Sequence, residues 1–139
     1  MPEDAATNPV PAVLEYIPYR KRDGTLPRDE IMHPYVAGHG YATVRVDMRG
    51  NGDSEGLMAD EYTIQELADA CEVIEWLAAQ PWCSGSVGMM GKSWGGFNCL
   101  QTAFLLSAVV ITVALLATLL SASVRRLPSQ TSPEPQTSG

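Results

Sequence analysis

Histidine occurs only twice in the 139 residues, as His33 and His39, and neither His nor Asp occurs after residue 93. The last third of the chain therefore lacks the side chain that titrates near neutral pH. Cations are few as well: 9 Lys and Arg stand against 16 Asp and Glu, a formal net charge of −7. That excludes nucleic acid as the partner, because phosphate binding needs clustered Lys and Arg. Arg20-Lys21-Arg22 is the only basic cluster, and with Asp23 next in line it reads as a solvated turn. Three cysteines, Cys71, Cys83 and Cys99, make neither a metal spacing nor a disulfide framework. A scattered odd set suits a reducing, cytoplasmic compartment. Met1 to Pro9 carries Glu3 and Asp4 and no apolar run, so a secretory signal is not expected there. No repeat, metal or cofactor signature stands out.

What is present suffices for one small domain. The 45% hydrophobic content is ordinary for a globular chain with a core. By composition, residues 1–8 are a polar lead expected to be disordered, residues 9–113 alternate apolar runs with Gly-rich turns, and residues 114–139 are an apolar segment followed by a tail. The Ser, Pro, Thr and Gln of Leu127 to Gly139 bury too little to offset ordering entropy, so disorder is expected there too. Strands are expected at Ala12 to Ile17, Ala42 to Asp47 and Val87 to Met90. A helix is expected over part of Asp29 to Ala37, and a stronger one from Thr63 to Gln80. In the latter, Thr63 and Glu66 fit a capping box, and Tyr62 and Leu67 a hydrophobic staple. Ile64, Leu67, Ala70, Cys71, Ile74, Leu77 and Ala78 share one arc. Glu66, Asp69, Glu72 and Glu75 share the other and read as a solvated face, although Val73 and Trp76 interrupt it. Strands alternating with helices point to a parallel sheet covered by helices, with any site at the carboxyl ends of the strands.

Gly91-Lys92-Ser93-Trp94-Gly95 falls at such an end and matches G-x-S-x-G. A strand enters, turns sharply and becomes a helix, which leaves the Ser side chain at the apex and lets helix N–H groups face developing negative charge. The apolar run before it and a plausible helix over Gly96 to Leu106 supply the required context. A phosphate loop would need Gly where Ser86 stands. Counted from Asp47, Arg49 and Met58 occupy the third and twelfth positions, where a calcium loop needs oxygen ligands. Gly56 comes one place late for a dinucleotide fingerprint. The loop from Asp47 to Gly56 reads as a strand-to-helix connection held by Gly turns and local Asp and Ser hydrogen bonds. His33 and His39 precede Ser93, the reverse of the order Ser, acid, His that accompanies this elbow, and read as solvated or structural.

Taken together, these residues resemble the cocaine esterase and X-prolyl dipeptidyl peptidase (CocE/NonD-type) family of serine hydrolases. Pro18-Tyr19-Arg20-Lys21 is similar to its P-Y-x-K segment, and Gly40 to Gly50 to its G-Y-x-x-V-x-x-D-x-R-G strand and loop. Ser54-Glu55-Gly56 fits the continuation. Glu75 to Met89 is similar to the stretch leading into the nucleophile. The resemblance implies a partial α/β-hydrolase fold, a mostly parallel sheet with flanking helices, ending after the elbow and one further strand at Ala108 to Val113. It implies Ser93 as nucleophile, the Trp94 backbone N–H and the Tyr19 hydroxyl as oxyanion donors, no cofactor, and a small-molecule ester or amide or a peptide as substrate. A packing role for Tyr19 at a strand end is the alternative.

Past Val113 the similarity stops, and the Asp and His of such a triad are not in the sequence. The expectation is an incomplete, inactive piece of a hydrolase, the end of the chain reading as a frameshift or truncation. The competing reading is a non-catalytic binding or membrane-attached chain, since Thr102 to Val124 is uncharged and about 20 apolar residues span a bilayer. It is disfavoured because the family pattern runs into that segment.

Overall fold

β1 (Val10–Ile17) is the centre of the architecture. In the computed structural model, which describes residues 1–125, it is flanked in parallel by β2 (Ala42–Asp47) and β3 (Cys83–Met89), in the order β2-β1-β3. The register pairs Ala12 with Ala42 and Ile17 with Asp47 on one side, and Leu14 with Met89 on the other. Parallel neighbours need crossover connections. These are α1 (Leu26–Ala37) between β1 and β2, and α2 (Ile64–Ala78) between β2 and β3. α3 (Trp94–Arg125) follows β3.

The two faces of the sheet differ in chemistry, as strand alternation requires. Leu14 and Tyr16 point to the side of α2 and form a core with Met48, Ala70 and Leu77, joined by Val73, Met89 and Trp94. Glu15 points to the side of α1. There it pairs with Arg45, its register partner on β2, and with Arg28, while Arg45 also holds Asp29 at 2.9 and 2.5 Å. Desolvation draws the Arg45 guanidinium down to about 10, against the pull of Asp47. A charge in this position is tolerated because its partners are buried with it.

Several expectations are corrected. Residues 1–8 are not a loose lead: the Thr7 and Asn8 amides donate to the Asp4 carbonyl, and Ala5 is 1% exposed beside Val10, Ala42 and Trp82. The basic turn stays at the surface but is ion-paired, Arg20 to Asp23, Lys21 to Asp53 and Arg22 to Asp53. The acidic arc of α2 is not a solvated face at Glu66 and Asp69, which are 6% and 8% exposed, whereas Ile64 of the apolar arc is 87% exposed. The apolar arc still meets the core through Ala70, Ile74 and Leu77, while Glu66 and Asp69 are covered as well because the Tyr62 amide, the Trp94 indole and the Arg49 guanidinium donate to them. The Thr63 hydroxyl caps the helix as expected, accepting from the Glu66 amide, but Glu66 reaches back to the Tyr62 amide, and the Tyr62 ring packs on Trp94 and Phe97.

Ala108 to Val113, expected as a strand, is helical within α3. No Gly or Pro occurs between Gly96 and Pro128, and the β-branched run is embedded in Ala and Leu, so nothing stops the helix. Its threonines add to the helix: Thr112 and Thr118 donate to the carbonyls of Ala108 and Ala114, both at 2.8 Å. Residues up to Leu106 belong to one compact unit, and a second begins at Ser107. Trp94–Thr118 is long and apolar enough to cross a membrane by length and composition. The tail from Leu127 lies outside the described residues.

The loop after β2 is tied to α2 by a bidentate pair, Arg49 to Asp69 at 2.7 and 2.6 Å. This pair holds the Asp69 carboxyl below the usual carboxylate range; burial opposes it and Gln65 assists it. A carboxyl whose folded pKa is depressed contributes stability above its unfolded pKa, near 4, and loses it as pH falls through the lower folded value. Asp69→Asn is therefore expected to lower stability at neutral pH and to flatten the loss of stability below about pH 4. Urea unfolding of both proteins across that range checks it; parallel curves would show that the pair does not contribute.

Candidate active site

β1 and β3 are parallel, so their carboxyl ends share one edge of the sheet. From that edge the chain leaves toward α1 after β1 and toward the opposite face after β3. Such a divergence opens a crevice between the two strand ends. Tyr19 follows the end of β1 and Ser93 the end of β3, so both stand at that edge of the sheet.

The turn at Ser93 is set by sterics. Ser93 has φ 58°, in the left-handed region that non-glycine residues seldom adopt. Its carbonyl accepts from the Gly96 and Phe97 amides at 2.9 and 3.2 Å, so the helix begins directly at the turn. A Cβ on Gly91 would lie 2.4 Å from the Gly95 carbonyl carbon, and one on Gly95 would lie 2.7 Å from Ile17 Cγ2. Only hydrogen fits at both positions. The Ser93 side chain is exposed, and among the described residues its hydroxyl has no hydrogen-bond partner. The Trp94 amide lies in the first turn of α3, where N–H groups have no intrahelical acceptor.

Tyr19 is held from behind. Arg20, at φ 59°, closes a turn in which the Gly24 and Thr25 amides donate to its carbonyl. A Cβ on Gly24 would lie 1.9 Å from the Tyr19 carbonyl oxygen. The Lys21 amide donates to Asp47 Oδ1 at 2.8 Å, and Asp47, 2% exposed, also accepts from the Asp53 amide at 3.2 Å. Ser54 donates to the Asp47 carbonyl at 2.6 Å. The loop from Asp47 to Gly56 is thus a connection built on Asp and Ser hydrogen bonds, and it steadies the segment that carries Tyr19. Tyr19 is 40% exposed, and the Tyr62 phenol is pushed up by desolvation first and then by the charges of Glu61, Glu66 and Tyr19. Tyr62 packs on Trp94, ring centroids 5.3 Å apart.

Both histidines are engaged around α1. His33 lies 3.9 Å from Asp29, and His39 Nδ1 is 2.8 Å from the Tyr35 carbonyl beneath a ring contact with Tyr35. Burial pushes the Cys71 and Cys99 thiols up, which disfavours a thiolate nucleophile at either. Among the described residues no group of side chains could hold a metal ion. A cavity of about 420 Å³ is lined by residues that include Tyr16, Arg49, Asp69 and Trp76, but not by Ser93, Trp94 or Tyr19.

Two contributors escape a reading of the sequence. Glu66 accepts from the Trp94 indole Nε1 at 2.8 Å as well as from the Tyr62 amide at 2.8 Å. The capping pattern flags the residue but uses only one of its oxygens. Asn98, 1% exposed, donates to the Tyr16 carbonyl at 3.2 Å. That carbonyl faces the side where β3 has already left the sheet: the last sheet bond there is from the Met90 amide to the Leu14 carbonyl. Asn98 takes the place of the missing strand. An Asn inside an apolar helix is the available signal.

Comparison with known proteins supports the fold and the family. Residues 1–124 match the X-Pro dipeptidyl-peptidase (S15 family) model, beyond the boundary expected at Val113. A Mycobacterium bovis protein named for serine esterase activity is 44% identical over 57 residues, 41% of this chain and 9% of that protein. Cocaine esterase from Rhodococcus is 34% identical over 125 residues, covering 88% of this chain and 21% of the esterase. Among solved structures, two of a CocE/NonD family hydrolase from Staphylococcus aureus superpose with TM-scores of 0.59 and 0.57 at 25% and 27% identity. Each comparison covers 70% of this chain and 20% of the other. The chain thus spans about a fifth or less of the length of these relatives.

The close approach of Gly95 to Ile17 can be tested directly. Gly95→Ala must displace Ile17, itself 3% exposed, and is expected to lower stability by about 1–3 kcal/mol, the usual cost of overpacking. Thermal or urea unfolding measures it; an unchanged midpoint would mean that Ile17 moves freely.

Proposed function

The chain belongs to the X-Pro dipeptidyl-peptidase (S15) family, and on that premise we propose that Ser93 is the nucleophile of a serine hydrolase that cleaves an ester or amide through an acyl-enzyme. The observation that carries this reading is the left-handed Ser93 between Gly91 and Gly95 at the strand-to-helix turn. In the proposed reaction Ser93 Oγ attacks the substrate carbonyl carbon and passes its proton to a base. The carbonyl oxygen becomes an anion held by the Trp94 N–H and the Tyr19 hydroxyl. Collapse of this intermediate expels the alcohol or amine, which takes the proton, and water releases the acyl group by the same route.

The base is the part these residues do not supply. A Ser hydroxyl is a weak nucleophile at neutral pH without one. His33 and His39 are engaged around α1, and neither Asp nor His follows Ser93. The proposal therefore includes that the 139 residues by themselves hold a nucleophile and two oxyanion donors but do not turn over substrate. Small esters, amides and X-Pro peptides are the substrate classes that the family name and the relatives' names suggest for an enzyme carrying this sequence.

Two experiments bear on this. The purified chain is expected to show no Ser93-dependent labelling by a serine-directed fluorophosphonate, with Ser93→Ala as control. Stoichiometric labelling that vanishes in the control would reveal an activated serine and overturn the inactivity. In an active enzyme carrying this sequence, Tyr19→Phe is expected to lower kcat about 10²-fold, as for loss of one oxyanion donor. Unchanged turnover would leave Tyr19 a packing residue at a strand end.

A further inference from the structure

We propose that Glu66 is a positioning residue for the oxyanion site, holding Trp94 through its indole so that the Trp94 backbone N–H keeps its direction at the elbow. The inference rests on the reading of Ser93 and Trp94 given above and adds a residue to it. Glu66 is on α2, 6% exposed, and each of its oxygens meets a donor: Oε1 the Trp94 indole N–H and Oε2 the Tyr62 amide, both at 2.8 Å. Trp94 is the first residue of α3, so its backbone N–H and its side chain leave the chain at one Cα. Fixing the indole at its far end removes the freedom by which that residue could rotate the turn. The same carboxylate fixes the Tyr62 backbone, held at φ 58°, and the Tyr62 ring closes over Trp94 and Phe97 at 5.3 and 5.1 Å. One acidic side chain thus joins the start of α2, the start of α3 and the aromatic contact of Tyr62 with Trp94 and Phe97.

The chemistry requires a carboxylate. Two N–H donors converge on the side chain, and an ionised carboxylate offers acceptors at both ends. A glutamine offers one acceptor and one donor, so in Glu66→Gln one N–H must lose its partner and face another donor. If the indole is absent, as in Trp94→Phe, the glutamine oxygen can serve Tyr62 alone and the conflict disappears. An ordinary cap residue would not behave this way, because its loss would be felt equally with or without the indole.

The test is a four-protein cycle on the whole chain: wild type, Glu66→Gln, Trp94→Phe and the double variant. The readouts are the Gly95 backbone amide in a ¹⁵N–¹H spectrum and the Leu14 and Leu77 methyl signals as monitors of the core. Glu66→Gln is expected to displace the Gly95 amide when Trp94 is present and to leave it in place when position 94 is Phe, with the core methyls unmoved. Equal displacement in both backgrounds, or none in either, overturns the proposal. If Glu66→Gln collapses the spectrum, folding regained in the Trp94→Phe background supports the proposal, and collapse in both backgrounds reduces Glu66 to a helix cap. Where an active enzyme carrying this sequence is labelled by fluorophosphonate but its Ser93→Ala variant is labelled equally, the nucleophile assignment fails, while the amide cycle still decides whether Glu66 orients position 94.

Discussion

The structure depends most on a steric condition: three chain segments meet at the elbow with room for hydrogen but not for carbon. Gly91 touches the Gly95 backbone, and Gly95 touches the Ile17 side chain at the end of β1. The exit of β3, the entry of α3 and the end of β1 are thereby held within van der Waals distance of one another. Because β1 is the central strand, this contact also sets where its following loop begins and hence where Tyr19 emerges. The strain of a left-handed Ser93 persists because the surrounding chain leaves it no relaxed alternative.

Around that point side chains supply hydrogen bonds to backbone groups that the sheet does not reach. β3 leaves the sheet after Met89, and Asn98 from α3 takes the Tyr16 carbonyl it leaves behind. β2 ends at Asp47, whose buried carboxylate gathers the Lys21 and Asp53 amides and so organises two loops at once. Glu66 gathers the Tyr62 amide and the Trp94 indole. Each is a buried polar group with at least one partner far away in the sequence. That is how a loop-built site acquires rigidity when backbone ladders cannot reach it.

The opposite face follows another logic. Glu15, Arg45, Asp29 and Arg28 form a charged cluster beneath α1 where hydrophobic contact would serve as well. Removing a single member would strand charges out of water, so the cluster fixes the pairing of β1 with β2 and the seat of α1 more than it adds net stability. The core residues Leu14, Tyr16, Ala70 and Leu77 are left on the side of α2 and α3.

The local pattern by itself determined the three strands, with β2 at Ala42–Asp47 as expected, the capped helix α2 and the strand–turn–helix context of Ser93. These are short-range matters: alternation, a Thr at the helix start, and glycines where a Cβ cannot fit. Family resemblance added the order of the motifs and periodicity placed Ala70 and Leu77 in the core, but neither could say that two acidic residues of α2 are buried as well. Glu66 and Asp69 look solvated on a helical wheel, and only the arrival of Arg49 and Trp94 from elsewhere makes them interior. Likewise, Val109 to Val113 has the composition of a strand, but without a sheet partner or an intervening breaker the neighbouring Ala and Leu carry it as helix. A charge or a β-branched run takes its state from what meets it, and that meeting is a property of the tertiary structure alone.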